Sequence, residues 1–314
     1  MIQRKQSLVH PKLLAFVRLA RLKFLIGGFS GGALGTAIAA YEMRSIDWAA
    51  YALAQVAITG AHLMTQFANE YYDRESDALT TRTPYSGGSG VLVAGELAPI
   101  VALRAALACL VVSACGIFAL LATGHVLAAS LGIAIIAFAW AYSAPPIRLL
   151  ARGLGELDTV FVVAILVPLC AFAAQTDALD LRAFASTLPG ALAMFVMMLC
   201  VQLPDVAADA ATGKRNLVVR LGTPRIMRLA RFSLVAFFAV IVISRLLGSP
   251  VAFVVIELVA SVQIYWLTRA FIASDSGAPA TMRALAERGV IFFGSVSIVG
   301  ALGYVLALGT LATR

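Results

Sequence analysis

Two short stretches carry acids at a spacing that could do chemistry. Asn69, Asp73 and Asp77 follow one another at i, i+4 and i+8, so a helix would stack them along one face. Asp205 and Asp209 repeat the i, i+4 interval. Like charges at that interval destabilise a helix by about 0.2–0.5 kcal/mol, and a cation between them removes the cost. Hard carboxylate and amide oxygens suit magnesium, which keeps waters and takes one or two carboxylates together with substrate phosphates. Two such faces turned towards each other would form a two-metal clamp around a diphosphate, and Lys214 lies five residues beyond Asp209. The same groups would stabilise a departing pyrophosphate. The plainer reading is two solvated helix ends. Matched spacing in both stretches, next to membrane spans, favours function.

The elements that must carry these acids are membrane helices. The chain has 314 residues, 61% hydrophobic and 13% charged, with a mean hydropathy of +0.93. Soluble domains run at about 45–50% apolar and about 25% charged. Spanning helices need about 20 mostly apolar residues, and nine such stretches are expected: 24–40, 48–68, 98–123, 126–142, 160–174, 184–203, 232–247, 250–268 and 290–308. No polar segment is long enough to bury a core of its own. The expectation is one all-α membrane domain over residues 1–314, a bundle of nine helices. The basic N-terminus before 24–40 could mimic a signal peptide, but no small-x-small cleavage pattern follows and the run reads as a retained first helix.

Charge sets the orientation. With the N-terminus in the cytoplasm, twenty of the 24 Lys and Arg residues fall on the cytoplasmic side, and only Arg44, Arg182, Arg245 and Arg314 fall on the other. The net charge of +8 is thereby a topology signal, and nucleic-acid binding is not needed to explain it. The outer loops (41–47, 124–125, 175–183, 248–249) are short and the inner ones long, so function is expected at the cytoplasmic face. Both acid stretches lie there.

Other residues carry weaker signals. Cys109, Cys115, Cys170 and Cys200 sit in apolar runs without metal-ligand spacing and read as packing residues. Pro204 is expected to kink its helix just before Asp205, and Pro145-Pro146 to end the fourth helix. Glu156 and Asp158 could bind a second substrate or act as a base, and placement at a helix N-terminus explains them equally well. His62, seven residues before Asn69, either lines a cavity or packs as a hydrogen-bonded histidine; His10 and His125 look superficial. Glu257 lies within a span and needs a partner or water. The acid stretches lie 132 residues apart, with Arg82 and Lys214 each nine residues beyond the first aspartate, a thin hint of duplication.

On these residues the chain resembles the UbiA superfamily of intramembrane prenyltransferases, over essentially its whole length. The first family motif, N-D-x-x-D-x-x-x-D, stands here as Asn69-Glu70-x-x-Asp73-x-x-x-Asp77, with Glu70 the one departure. The second, D-x-x-x-D followed by a basic residue, stands as Asp205-x-x-x-Asp209 with Lys214. Ser86-Gly87-Gly88-Ser89-Gly90-Val91-Leu92, Tyr142-Ser143-Ala144-Pro145-Pro146-Ile147-Arg148-Leu149 and Gly213-Lys214-Arg215-Asn216-Leu217-Val218-Val219-Arg220-Leu221-Gly222 are similar to the branch that prenylates 1,4-dihydroxy-2-naphthoate in menaquinone synthesis.

The resemblance implies a magnesium-dependent enzyme of the bacterial inner membrane that joins a polyprenyl diphosphate to an aromatic acceptor. Asp73, Asp77, Asp205, Asp209 and Lys214 would be catalytic, and Asn69 with the four aspartates would hold Mg2+. Lys214, Arg82 and Arg148 would bind diphosphate, with Arg215 beside them, while Tyr142 and Tyr72 could face an allylic cation. For the arginines the plain alternative is a positive-inside anchor, and for Tyr142 an aromatic-belt residue. Gly87, Gly88 and Gly90 make an anion nest, a lid or a plain turn. The other acceptors considered are 4-hydroxybenzoate, homogentisate, a chlorin and a glyceryl phosphate lipid. From other classes come an ion-coupled transporter, whose site would lie near the midplane, and a silent lipid-binding scaffold.

Overall fold

A computed structural model describes residues 11–80, 82–274 and 278–312. Arg4, Lys5, His10 and Arg314 of the charge and histidine readings lie outside the described residues. The described chain is helical, and no strand occurs in it. A short α1 (Pro11–Leu19) leads through a left-handed Arg21 into α2 (Ile26–Met43) and the long α3 (Trp48–Asp77). Then come α4 (Pro99–Ala122), α5 (Val126–Ser143), α6 (Gly155–Thr176) and α7 (Leu181–Ala211). A one-turn α8 (Leu217–Leu221) precedes α9 (Thr223–Leu246), α10 (Val251–Ala273) and α11 (Pro279–Ala312).

Local chemistry sets the boundaries. Asp47 starts α3 by accepting the Ala49 and Ala50 amides at 2.9 and 3.0 Å, the usual N-cap service to orphaned donors. Asp180 does the same for α7 through Ala183. Pro99 opens α4, where a missing N–H costs nothing. α5 stops at Ser143, ahead of Pro145-Pro146 as expected. Leu203–Asp205 tightens into a 3-10 turn at Pro204, the expected kink.

Seven of these helices are long and apolar enough to cross a bilayer: α4, α5, α6, α7, α9, α10 and α11. They coincide with seven of the nine expected stretches. The other two, α2 and α3, are less apolar for a structural reason. α2 is rich in glycine and alanine and lies against α6 and α11, while α3 turns Gln55 and His62 towards the glycines of α2 and sets Thr65, Gln66 and Asn69 on the wall of an internal cavity. In a bilayer, close packing of small residues replaces the hydrophobic drive between helices. α3 and α4 use it fully. A Cβ on Gly60 would lie 2.7 Å from the Ser113 backbone nitrogen, and one on Gly116 2.8 Å from that of Ala57. The Ser113 hydroxyl donates to the Ala57 carbonyl at 2.6 Å across the same crossing.

The two ends of the bundle differ. At one end Gln175 bonds both the amide and the carbonyl of Asp47, and Arg182 lies 3.6 Å from Glu42. In that half Glu257 is buried, with Oε2 unpartnered beside a void of about 20 Å³ that Ser30, Thr187 and Ser297 also line, room for one water. At the other end the chain opens into a large cavity. The four cysteines are all free. Gly60→Val should force α3 and α4 apart and cost about 1–3 kcal/mol, read as a lower apparent Tm of the detergent-solubilised protein.

Candidate active site

The cavity holds about 470 Å³ and runs from the ends of α3 and α7 down between α3, α5, α6, α7 and α11. Its mouth is polar and its body apolar: Asn69, Asp73, Asp77, Asp205, Asp209 and Lys214 line the former, while Ile58, Val163, Met194, Met198, Val290 and Phe293 line the latter. Helical periodicity turns the first acid face inward. The kink at Pro204 brings the second to meet it.

Lys214 joins the two faces. Its ammonium lies 3.0 Å from Asp73 Oδ2 and 3.4 Å from Asp209 Oδ1, and it is 8% exposed. Charges buried this deeply must be paired. Burial opposes the ammonium, but Asp73 and Asp209 outweigh it and hold the Lys214 pKa above that of an ordinary lysine. Asn69 donates to Asp73 Oδ2 at 2.6 Å and to the Ser143 hydroxyl at 3.1 Å. Among the described residues no cation pairs with Asp77 as Lys214 does with Asp73, although the Lys214 and Arg21 charges act on it. Burial, and then the Asp73 charge, push its carboxyl up to about 7.

A glycine-rich loop closes over the acids. Gly88 has φ of +63°, and a Cβ there would run into the Asp77 carboxylate, so only glycine fits on both counts. The Ser86 hydroxyl and Gly87 amide lie close enough to act on Asp205. Glu70 holds this loop. Its Oε1 accepts the Ser89 amide at 2.6 Å and its Oε2 the Ser89 hydroxyl at 2.7 Å, with Arg21 3.8 Å away. Burial raises the Glu70 pKa, and the Ser89 bonds and the Arg21 charge work against that rise. The role left open in the sequence is thus filled: Glu70 does not line the cavity but positions the loop that does.

The structure does not bring every expected residue to the cavity. Tyr142 lines it; Tyr72 packs instead against Tyr71 and the apolar cluster under α1. Arg82 is exposed and lies over Gly90, outside the cavity lining. Arg148 is exposed at a left-handed turn, and Arg215 is exposed with its amide bonded to the Ala151 carbonyl at 2.9 Å. None of these three lines the cavity. Spacing could not reveal this, because all four residues lie where the chain leaves helical periodicity or on the far face of a helix.

In their place the fold supplies groups the sequence did not single out. Arg21 and Lys23 stand at the mouth, from the turn between α1 and α2. Lys23 bonds the Pro84 carbonyl and sits over the Tyr85 ring at 4.8 Å, and Arg18 pairs with Glu96, so this turn is strapped to the loop. Asn216 is fully buried: its Nδ2 donates to Asp209 Oδ2 at 2.7 Å while its Oδ1 caps α8 through Val219 at 2.9 Å. His62 lines the cavity, the first of its two readings.

The donors fit a metal only in partnership. Among the described residues no three acidic, histidine or cysteine side chains converge closely enough to hold an ion by themselves. Asp205 Oδ1, however, is buried without a hydrogen-bond partner among those residues, and hard oxygens of two acid faces are the ligands magnesium shares with phosphate and water. Asn69, Asp73, Asp77, Asp205 and Asp209 would hold it once a diphosphate supplies the remaining oxygens. Glu70→Ala should free the loop, speeding proteolysis within residues 82–97, whereas Glu70→Asp, which keeps the charge, should leave turnover within about threefold.

A sequence model of the UbiA prenyltransferase family matches residues 30–296. The apo structure of a UbiA homologue from Aeropyrum pernix K1 is 16% identical with a TM-score of 0.69, over 91% of this chain and 98% of that one. A UbiA homologue from Archaeoglobus fulgidus, solved with GPP and Mg2+, is 14% identical with a TM-score of 0.65, over 91% and 99%. A digeranylgeranylglyceryl phosphate synthase structure is 14% identical with a TM-score of 0.63, over 95% and 100%. At these identities the likeness is one of fold. Comparison with curated proteins yields no match.

Proposed function

Because this multi-pass membrane chain belongs to the UbiA prenyltransferase family, we propose that it transfers a polyprenyl group from a polyprenyl diphosphate to an aromatic acceptor. The observation that carries this reading is the meeting of two acid faces, from α3 and α7, around Lys214 at the mouth of an otherwise apolar cavity. GPP and Mg2+ in the Archaeoglobus homologue support the same donor class and metal here. The acceptor we favour is 1,4-dihydroxy-2-naphthoate, in menaquinone synthesis, on the Ser86–Leu92 and Gly213–Gly222 blocks; 4-hydroxybenzoate is the next. We also propose nine crossings, α2 and α3 included, with the N-terminus and the cavity mouth at the cytoplasmic face of a bacterial inner membrane.

The chain's own groups divide the work. Lys214 binds diphosphate oxygens, and Arg21 and Lys23 guide the anion through the mouth. Bound magnesium supplies further positive charge that makes diphosphate a better leaving group. The bond between prenyl C1 and the diphosphate oxygen breaks with its electron pair leaving on oxygen. A ring carbon of the acceptor bonds to C1 and then gives up its proton. Tyr142 offers a ring face to the developing cation. The apolar body holds the tail and excludes water, which would quench the cation to an alcohol.

Family membership sets aside the transporter reading. A scaffold that binds prenyl diphosphate without turning it over is the outcome to look for in the assay. Purified chain in nanodiscs with labelled polyprenyl diphosphate and either acceptor should form a prenylated ring product, lost on chelation. Asp73→Ala and Asp205→Ala should each lower turnover by about 100-fold or more, the scale for losing a leaving-group stabiliser, while the protein still inserts. Near-normal turnover in either variant would sink the two-acid-face mechanism.

A further inference from the structure

Of the two acids that open α6, only one faces the cavity. Glu156 is fully buried, and its Oε1 accepts the Leu217 amide at 2.8 Å, tying α6 to α8. Asp158 is 7% exposed and lines the cavity, and among the described residues its Oδ1 has no hydrogen-bond partner. Gln202, on α7, is 8% exposed and lines the same cavity, and neither of its amide atoms has a hydrogen-bond partner among the described residues. Glu156 faces that amide without closing a hydrogen bond. Leaving such groups dry and unsatisfied is costly, more so when they are charged, and the cost is removed when a ligand brings the missing partner.

These groups are separate from the diphosphate end. Lys214 pairs with Asp73 and Asp209, not with Asp158. Tyr142 shares the cavity wall with both sets. Directly after Asp158 and Thr159 the helix widens into a π turn, Val160–Leu166, a feature that recurs at functional sites. Val162 and Val163 of that turn continue the cavity wall in apolar form, which suits the face of a ring.

We infer that Asp158 anchors the second substrate by accepting a hydrogen bond from a hydroxyl on an aromatic ring, with the Gln202 amide as its companion. A carboxylate can only accept, and an amide both donates and accepts. A hydroxyl, which does both, fits the pair; an ether lacks the hydrogen, and a ligand carboxylate turned this way would meet Asp158 with like charge. The bond also pushes electron density into the ring that attacks C1. Asp158 selects hydroxyarenes within the prenyl-transfer reading, on which this inference rests.

The test measures binding of full-length protein in nanodiscs to 4-hydroxybenzoate and 6-hydroxy-2-naphthoate, each against its methoxy counterpart. Geranyl diphosphate with magnesium is titrated separately. The wild type should bind a hydroxy acid at least about tenfold tighter than its methoxy analogue, the scale of one charge-assisted hydrogen bond. Asp158→Leu should reduce that preference below about threefold, Asp158→Asn should keep part of it, and both should bind geranyl diphosphate as the wild type does. Equal discrimination in Asp158→Leu and wild type, or none in the wild type, overturns the inference and leaves prenyl transfer standing. Discrimination through Asp158 in a chain that never binds geranyl diphosphate supports the hydroxyl site and sinks the prenyl-transfer reading instead.

Discussion

A lysine held between two carboxylates from distant parts of the chain organises this end of the molecule. Lys214 lies within 3.4 Å of both Asp73 and Asp209, and those residues come from helices separated by more than a hundred positions. Removing one partner from such a buried group strands the rest, at about 3–5 kcal/mol. The fold therefore cannot place α3, α7 and the 212–216 turn independently. Asn69 and Asn216 extend the network by donating to Asp73 Oδ2 and Asp209 Oδ2, and the Ser143 hydroxyl accepts from the same Asn69 amide.

The same constraint explains the strapping around the mouth. A loop that must lay its backbone on carboxylates needs a left-handed glycine at Gly88 and an anchor that keeps it from drifting into water. Glu70 provides the anchor from the buried side of α3, one residue from Asn69 but on another face. The end of α1 adds Arg18 from outside, and the turn after it adds Arg21 and Lys23. Below this lid the cavity becomes apolar within a few residues. A charged group can be handled at the top and a hydrocarbon chain stored underneath, a division that a membrane-embedded bundle supports and a small soluble domain does not.

Much of this was legible in the residues. Hydropathy located every long helix, seven of which qualify as spans on length and composition. Helical spacing put Asn69, Asp73 and Asp77 on one face, and Pro204 marked the bend before Asp205. The arginines and Tyr72 lie outside the cavity lining, a placement the residues could not foretell: a basic or aromatic side chain in a loop or at a helix end has no periodicity to say where it points. Arg82, Arg148 and Arg215 face outward, and Tyr72 packs under α1.

The sequence by itself determined the class of molecule and the acids at its centre, because apolar length and the i, i+4 interval are local properties of a helix. Only the tertiary structure decided which neighbours meet those acids. It brought Lys214 between them, gave Glu70 a loop to hold, and separated Glu156, which braces α8, from Asp158, which faces the cavity. Those outcomes depend on how helices far apart in the chain pack and turn. One step along a helix rotates a side chain by about 100°, enough to move a carboxylate from a structural contact into a binding site.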